Sequence, residues 1–461
     1  MVEWVRSRSS ISVLLAGIQW LFFIFTNTVM VPLSIGHVLG LGPEDIAASM
    51  QRSFILTGLL CIVQLIWGHR YSLMDGPAGV WWGLVLSICA SAPAMNMELS
   101  TVAASLTSGF ILSSALVIVL ALCGFLNILR RIFTPIVMSV YMLLLTFQLE
   151  NTFFKGMIGY NQEGRWNLQL AALSLFVIAV VAIVHIRGRG KLGQYSLLSG
   201  IVVGWIAYAL LFGHESSVTA AGAGFQSIWQ WMPWGSPGLE PGIITVGLLA
   251  GLVNMTNTLT SLAAAGRLYQ REASEKQHIR SLLATNLFSI LAACVGLIPF
   301  GTFASSIGFL ENTKVLRRAA LFAGSIMLMI VGIVPLLSGW LAQLPMSVGS
   351  AVLFAAYLQM FGTALRSFQG TTFNAKTIYR LALPVLTGIS IMNVPASAFA
   401  DFPPLLTPIV SNGLVIGVVV VILLESFVRW DKYDASPSAG AVSVKPIPAA
   451  SDAPMQARQS G

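Results

Sequence analysis

Met74-Asp75-Gly76-Pro77-Ala78-Gly79-Val80-Trp81-Trp82-Gly83 and Ile298-Pro299-Phe300-Gly301-Thr302-Phe303-Ala304-Ser305-Ser306-Ile307-Gly308 are the two stretches that decide how this chain folds. Each interrupts an apolar run with Gly and Pro, and each leads into a short apolar stretch. Proline lacks the N–H that a helix needs and clashes with the preceding turn, so neither stretch continues as an ordinary helix. Unwound backbone cannot face lipid, and its N–H and C=O groups must meet protein, water or a ligand instead. Taken singly, each stretch also reads as a proline kink between packed helices.

The surroundings of the two stretches are those of a membrane protein. Of 461 residues, 56% are hydrophobic and 9% are charged, where a soluble domain carries roughly a quarter charged residues. Apolar runs of about 20 residues, long enough to cross a bilayer, recur along nearly the whole chain. This composition excludes a soluble enzyme, a nucleic-acid binder and a secreted scaffold. Splitting the hydropathy at Gly, Pro and charge clusters gives about fourteen segments, near 11–33, 52–67, 76–92, 101–127, 133–150, 167–186, 195–213, 241–264, 281–299, 302–311, 318–343, 347–366, 376–398 and 405–428. Continuous runs such as Leu112 to Leu122 favour helices over the alternating strands of a barrel. The predicted fold class is therefore an all-α polytopic membrane protein. One broken stretch opens the third segment of the first seven, and the other opens the third of the second seven. Paired interruptions at corresponding places are the sequence sign of an inverted-repeat transporter, with half-helix ends meeting a substrate at midplane.

The net charge of +8 suggests a polyanion partner only until the basic residues are placed. With the N-terminus in the cytoplasm, alternate loops hold 22 of the 25 Lys and Arg, leaving Arg52, Lys155 and Arg165 outside. That bias orients the chain in the membrane and removes the argument for nucleic acid. The expectation is a multi-pass inner-membrane protein with both termini cytoplasmic. Residues 431–461 form a tail without an apolar face, expected to be disordered.

Little else in the sequence carries chemistry. Cys61, Cys89, Cys123 and Cys294 occur singly, without the paired spacing of a metal or disulfide site. His37, His69, His185, His214 and His278 fall at helix ends or in loops, which argues against a metal site or a His proton relay. No phosphate-binding Gly-rich Lys-Ser/Thr loop is present, so neither ATP nor any other cofactor is expected. The polar side chains inside apolar segments are the informative ones. Gln19, Thr26, Asn27 and Thr28 lie in the first segment, and Asn254, Thr256, Asn257, Thr258, Thr260 and Ser261 lie in the eighth. Asn254, Asn257 and Ser261 are spaced by three and four and share a helix face. Amides present a donor and an acceptor side by side, as a nucleobase edge does, although Asn and Ser also join membrane helices to one another.

With these residues in view, the chain resembles the nucleobase:cation symporter family, which includes nucleobase:ascorbate transporters and uracil and xanthine permeases. The resemblance runs over roughly residues 10 to 428, through Gly17-Ile18-Gln19, Thr28-Val29-Met30-Val31-Pro32, Leu129-Arg130-Arg131-Ile132-Phe133-Thr134-Pro135, and Gly308, Thr313 and Lys314. It is closer to the divergent purine-permease branch, through Ile18-Gln19-Trp20, Trp81-Trp82-Gly83, Phe153-Phe154-Lys155-Gly156-Met157 and Ser305-Ser306-Ile307-Gly308. The resemblance implies fourteen segments in two inverted sevens, with short helices 3 and 10 each preceded by a small strand. It implies a core domain from 10–128 and 241–343, a gate domain from 129–213 and 344–430, and a homodimer formed through the gate.

It further implies a base held between the two breaks by backbone and by two glutamates. Those positions fall on Asn257 and Ser305, with Ser306 in place of the usual Asn, Ser261 at another polar position, and Trp20 where many members have His. The expected substrate contacts are Asn257, Ser305, Gln19, Gly79, Ala304, Ser261 and Ser306, and the expected cargo is a purine of the xanthine or hypoxanthine type, or uracil. Neither site carboxylate is retained. Coupling to a proton or sodium ion would then have moved to Asp75 or Glu311, or transport would be weakly coupled. Weak coupling is the favoured expectation, because both acids read as lying toward the cytoplasmic end, within reach of water. The competing readings are a same-fold carrier of a small anion, held at the helix N-termini, and a non-transporting membrane sensor.

The orientation is testable on a cysteine-free background. A cysteine placed at Ser217 should react with an impermeant thiol reagent from outside the cell, and one at Ser274 should not. Reversed labelling would dismantle the fourteen-segment reading.

Overall fold

A computed structural model describes residues 10–93, 95, 97–125, 132, 134–160, 165–188, 193, 196–213, 228–313, 315–337, 344–366, 374–399, 401–403, 406–428 and 430. The chain is helical apart from one two-stranded ribbon. Its first half runs α1 (Ser10–Val38), α2 (Pro43–Ile66), β1 (Asp75–Pro77), α3 (Gly79–Ser91), α4 (Leu99–Leu122), α5 (Pro135–Met157), α6 (Leu168–Arg187) and α7 (Ser196–Phe212). The second half runs α8 (Pro241–Leu268), α9 (Glu275–Cys294), β2 (Phe300–Thr302), α10 (Ser305–Thr313), α11 (Arg318–Ile333), α12 (Met346–Arg366), α13 (Ala375–Met392), a 3₁₀ turn (Ala396–Phe399), the one-turn α14 (Thr407–Val410) and α15 (Gly413–Phe427).

Local chemistry fixes many of the helix starts. Pro43, Pro135 and Pro241 occupy first-turn positions, where a missing N–H costs nothing. The Asn167, Asn374 and Asn412 side chains accept from first-turn amides, and Ser274 with Gln277 forms a reciprocal capping box. Among the described residues, six helices are long and apolar enough to cross a membrane on their own, namely α1, α2, α4, α5, α6 and α8. Others, such as α3, α7, α11 and α15, are apolar but shorter.

The packing repeats between the halves. In the first, α4 lies against α8 and α9; in the second, α11 lies against α1 and α2. The α6–α7 pair has its counterpart in α13–α15, while α5 and α12 pack on each other. β1 pairs antiparallel with β2, Asp75 opposite Thr302, Gly76 opposite Gly301 and Pro77 opposite Phe300. This is the arrangement of two inverted repeats, with the ribbon joining equivalent points of each. A side chain at Gly301 has no room, since its Cβ would lie 2.9 Å from that of Ala78 and would also meet the Asn254 amide.

One boundary needs correction. The second apolar run was read from residue 52, but α2 begins at Pro43, which puts Arg52 inside the helix rather than in an outer loop. Its guanidinium is buried, with Nη1 donating to the Ile228 carbonyl at 2.9 Å and Nη2 to Ser49 Oγ at 2.8 Å. A charge disguised the first turns of a helix because hydropathy cannot register a guanidinium whose two terminal nitrogens find acceptors inside the protein. The tail 431–461, Lys314, Trp340 and residues 214–227 lie outside the described residues.

Candidate substrate site

The ribbon meets the demand that unwound backbone makes on a buried site. Beyond the strand pairs, the Phe303 N–H donates to the Met74 carbonyl at 2.9 Å and the Ala78 N–H to the Pro299 carbonyl at 3.1 Å. Side chains satisfy other groups along the two stretches. Asn254 Nδ2 donates to the Phe300 carbonyl at 2.8 Å, and Asn257 Nδ2 to the Thr302 carbonyl at 3.0 Å. Ser289 Oγ accepts from the Phe300 N–H at 2.9 Å, and Ser306 Oγ accepts from the Met74 N–H at 3.0 Å. The Cys61 thiol donates to the Asp75 carbonyl at 3.3 Å.

Asp75 is wholly buried, not open to water as its position in the sequence suggested. Its Oδ1 accepts from Thr302 Oγ1 at 2.8 Å and from Thr285 Oγ1 at 3.4 Å, and its Oδ2 meets His69 Nε2 at 2.9 Å. His69 is equally buried. The Tyr71 N–H points at His69 Nδ1 from 3.1 Å, which makes Nδ1 the acceptor and leaves Nε2–H to donate to the carboxylate. The pair is thus a hydrogen bond from a neutral imidazole. It ties β1 to the α2–α3 loop, to α9 and to β2. That loop in turn joins the α8–α9 loop, with Tyr71 Oη donating to the Arg271 carbonyl and Gln277 Nε2 to the His69 carbonyl at 2.9 Å. Reading the histidines by position alone missed this partnership.

The expected contact residues separate into two groups. Gly79 opens α3 just past the Pro77 end of β1, and Ser305, preceded by Ala304, opens α10 just past the Thr302 end of β2, so the antiparallel ribbon fixes one half-helix start at each of its ends. Among the described residues, no acceptor engages the N–H groups of Gly79, Val80 or Trp81, and Ser305 is exposed. Free amides at a helix start attract electronegative atoms. Asn257 lies beside them with its donor committed to β2, leaving Oδ1 as the group it can offer. Gln19 and Phe23 share a face of α1, and Phe23 packs on Phe309 of α10 at 4.6 Å between ring centres. The other group is committed to the frame: Ser306 is buried under Met74, and Ser261 is buried with no partner for its hydroxyl among the described residues. Glu311 is exposed on α10.

The helices facing this site supply residues that the sequence reading did not single out. The position of a Cβ on Gly79 lies 3.6 Å from Tyr357 Oη of α12 and 3.7 Å from Leu145 and Leu149 of α5. One turn along α3, the Gly83 carbonyl accepts from Gln148 Nε2 at 2.7 Å. Two glycines a turn apart therefore let α5 sit directly on α3. An apolar cavity of about 160 Å³ lies nearby, lined by Val80 and Leu84 of α3, Val253 of α8, Val418 of α15 and Gln148.

Over residues 11–397 the chain matches the model described as the permease family, Xan_ur_permease, and it belongs to that family. It is a membrane transporter, not an enzyme. The Bacillus subtilis protein named "Putative purine permease YwdJ" is 28% identical over 90% of this chain and 96% of its own length. The uric acid permease PucJ of the same organism is 25% identical over 91% and 93%. Among solved structures, the transmembrane domain of the cyanobacterial bicarbonate transporter BicA superposes with a TM-score of 0.60 at 14% identity, covering 91% of this chain and 98% of that one. The murine anion transporter Slc26a9 gives 0.61 at 13%, covering 91% and 70%. These likenesses show a shared fold.

Removing His69 would leave Oδ2 of a buried carboxylate without its donor, a loss of about 1–3 kcal/mol for an unsatisfied buried acceptor. His69→Ala should therefore lower the thermal unfolding midpoint of the detergent-solubilised protein, and adding Asp75→Asn should restore part of the loss. A double variant no more stable than His69→Ala would refute the pairing.

Proposed function

We propose that this permease carries a purine nucleobase, seated between the starts of α3 and α10. The observation that carries the reading is the pair of half-helix N-termini fixed at the two ends of the ribbon, with unengaged amides at Gly79, Val80 and Trp81 on one and the Asn257 acceptor near the other. Amides of this kind suit the carbonyl oxygens and ring nitrogens of a planar base, and the half-buried Phe23 and Phe309 give such a ring an apolar neighbour. Relatives named for purines, uric acid and xanthine support a purine over uracil. In this reading Gln19, Gly79, Asn257, Ala304 and Ser305 touch the base, while Ser261 and Ser306 act behind them. A core of α1–α4 and α8–α11 moves against a gate of α5–α7 and α12–α15. Crossing fourteen times, the chain has both termini in the cytoplasm and pairs with a second copy through the gate.

Uptake of labelled xanthine, hypoxanthine, uric acid, adenine, guanine and uracil, in cells lacking their own permeases, tests the cargo. Uptake of none of them would return the small-anion reading. Asn257→Ala should weaken purine binding by roughly five- to 150-fold, the equivalent of about 1–3 kcal/mol for a lost buried polar contact. Asn254→Ala, which frees the same strand one turn away, should cost stability with little selective loss of binding. If both variants lose stability alike and binding is untouched, Asn257 only braces β2.

A further inference from the structure

The acids of the first reading are poor carriers of a mobile proton. Asp75 is held by donors on both carboxylate oxygens, and Glu311 is exposed. Glu425 is locked to Arg380 by two bonds of 2.6 and 2.7 Å. Glu150 differs from all three. The fifth apolar run reads from the sequence as ending at its position, yet α5 continues to Met157. Both Glu150 oxygens are buried, and neither has a hydrogen-bond partner among the described residues. An ionisable group inside a membrane helix marks a functional position by default.

Its neighbours define what it faces. Leu149, the preceding residue, touches α3 at Gly79, and Gln148 bonds the Gly83 carbonyl. On α12, Tyr357 lies within electrostatic reach of Glu150, and its hydroxyl sits against the start of α3. The other ionisable side chains on elements packed against α5 are Cys89 on α3, His185 and Arg187 ending α6, Arg366 ending α12, Lys376, Tyr379 and Arg380 on α13, and Glu425 on α15. On α5 itself they are Tyr141 and the exposed Lys155. Burial alone, with no charged partner, dominates the surroundings of Glu150.

We propose that Glu150 is the proton-binding group of the transport cycle, placed on the helix that faces the substrate site rather than on the helices that hold it. The proposal rests on the transporter reading. A proton from one aqueous side adds to the carboxylate to give the neutral acid and leaves on the other side, and no other bond changes. The chemistry couples this step to movement. An ionised carboxylate requires water or a donor, which it reaches only when the seam between α3 and α5 opens. The neutral acid tolerates the closed seam seen here. A proton needs one oxygen, whereas a metal cation needs several, and among the described residues the other carboxylate on the elements packed against α5 is Glu425, held by Arg380.

Purified protein in vesicles provides the test, with Glu150→Gln as a permanently neutral mimic of the protonated acid and Glu150→Asp as the variant that keeps an acid. Glu150→Gln should retain purine exchange while accumulation driven by an inward proton gradient falls to equal concentrations inside and out; Glu150→Asp should keep accumulation. Infrared difference spectra between acidic and alkaline buffer should show a carboxylic acid C=O band that is absent from Glu150→Gln. Accumulation by Glu150→Gln at the wild-type level, or an unchanged band, overturns the proposal. If the wild type exchanges no purine, the cargo is wrong, and the infrared comparison still decides whether Glu150 binds the proton.

Discussion

Backbone that leaves a helix inside a membrane must find its hydrogen bonds in protein, water or a ligand, because lipid offers none. This chain does so twice, between Met74 and Ala78 and between Pro299 and Phe303, and lets the two breaks satisfy each other. The antiparallel pairing of β1 and β2 accounts for much of the need. Asn254, Asn257, Ser289, Ser306 and Cys61 supply more, each aimed at a particular carbonyl or amide. The Asp75–His69 bond then pins the ribbon to the loop below it. Once the ribbon is fixed, the starts of α3 and α10 are fixed with it, and the free amides of Gly79, Val80 and Trp81 are what the proposed site offers a ligand.

This arrangement gives single residues two duties. Asn257 braces β2 with its amide donor, and in the proposed reading its acceptor is left for the base, so helix glue and substrate contact are not alternatives at this position. Asp75 shows the opposite outcome. With its oxygens engaged it serves the frame, and the absence of carboxylates at Asn257 and Ser305 leaves the substrate pocket itself uncharged. The division of labour falls between a rigid set of helices carrying the ribbon and a facing set carrying Tyr357, Gln148 and Glu150.

The fold was legible because its signals are local. Gly and Pro in the third and tenth segments announced the breaks, and the spacing of Asn254 and Asn257 announced one face, which the structure turns toward β2. What escaped depends on contacts distant in sequence. Nothing around His69 reveals that its ring reaches Asp75, and nothing around Tyr357 reveals that its hydroxyl sits at Gly79. Glu150 was visible in principle, since Gln148-Leu149-Glu150-Asn151-Thr152 is a polar patch within a helix. Cutting the apolar run at the charge concealed it, as the same habit concealed the first turns of α2 at Arg52.

The central claim is that the ribbon creates the binding site by fixing a helix start at each of its two ends. A cryo-electron microscopy structure with a transported purine bound tests it most directly. The account predicts ring density between the first turns of α3 and α10, with the ring edge at the Gly79 amide and Asn257 Oδ1. A base lodged instead deep in the apolar cavity against Leu84 and Val418, out of reach of the Gly79 amide and Asn257 Oδ1, would contradict it.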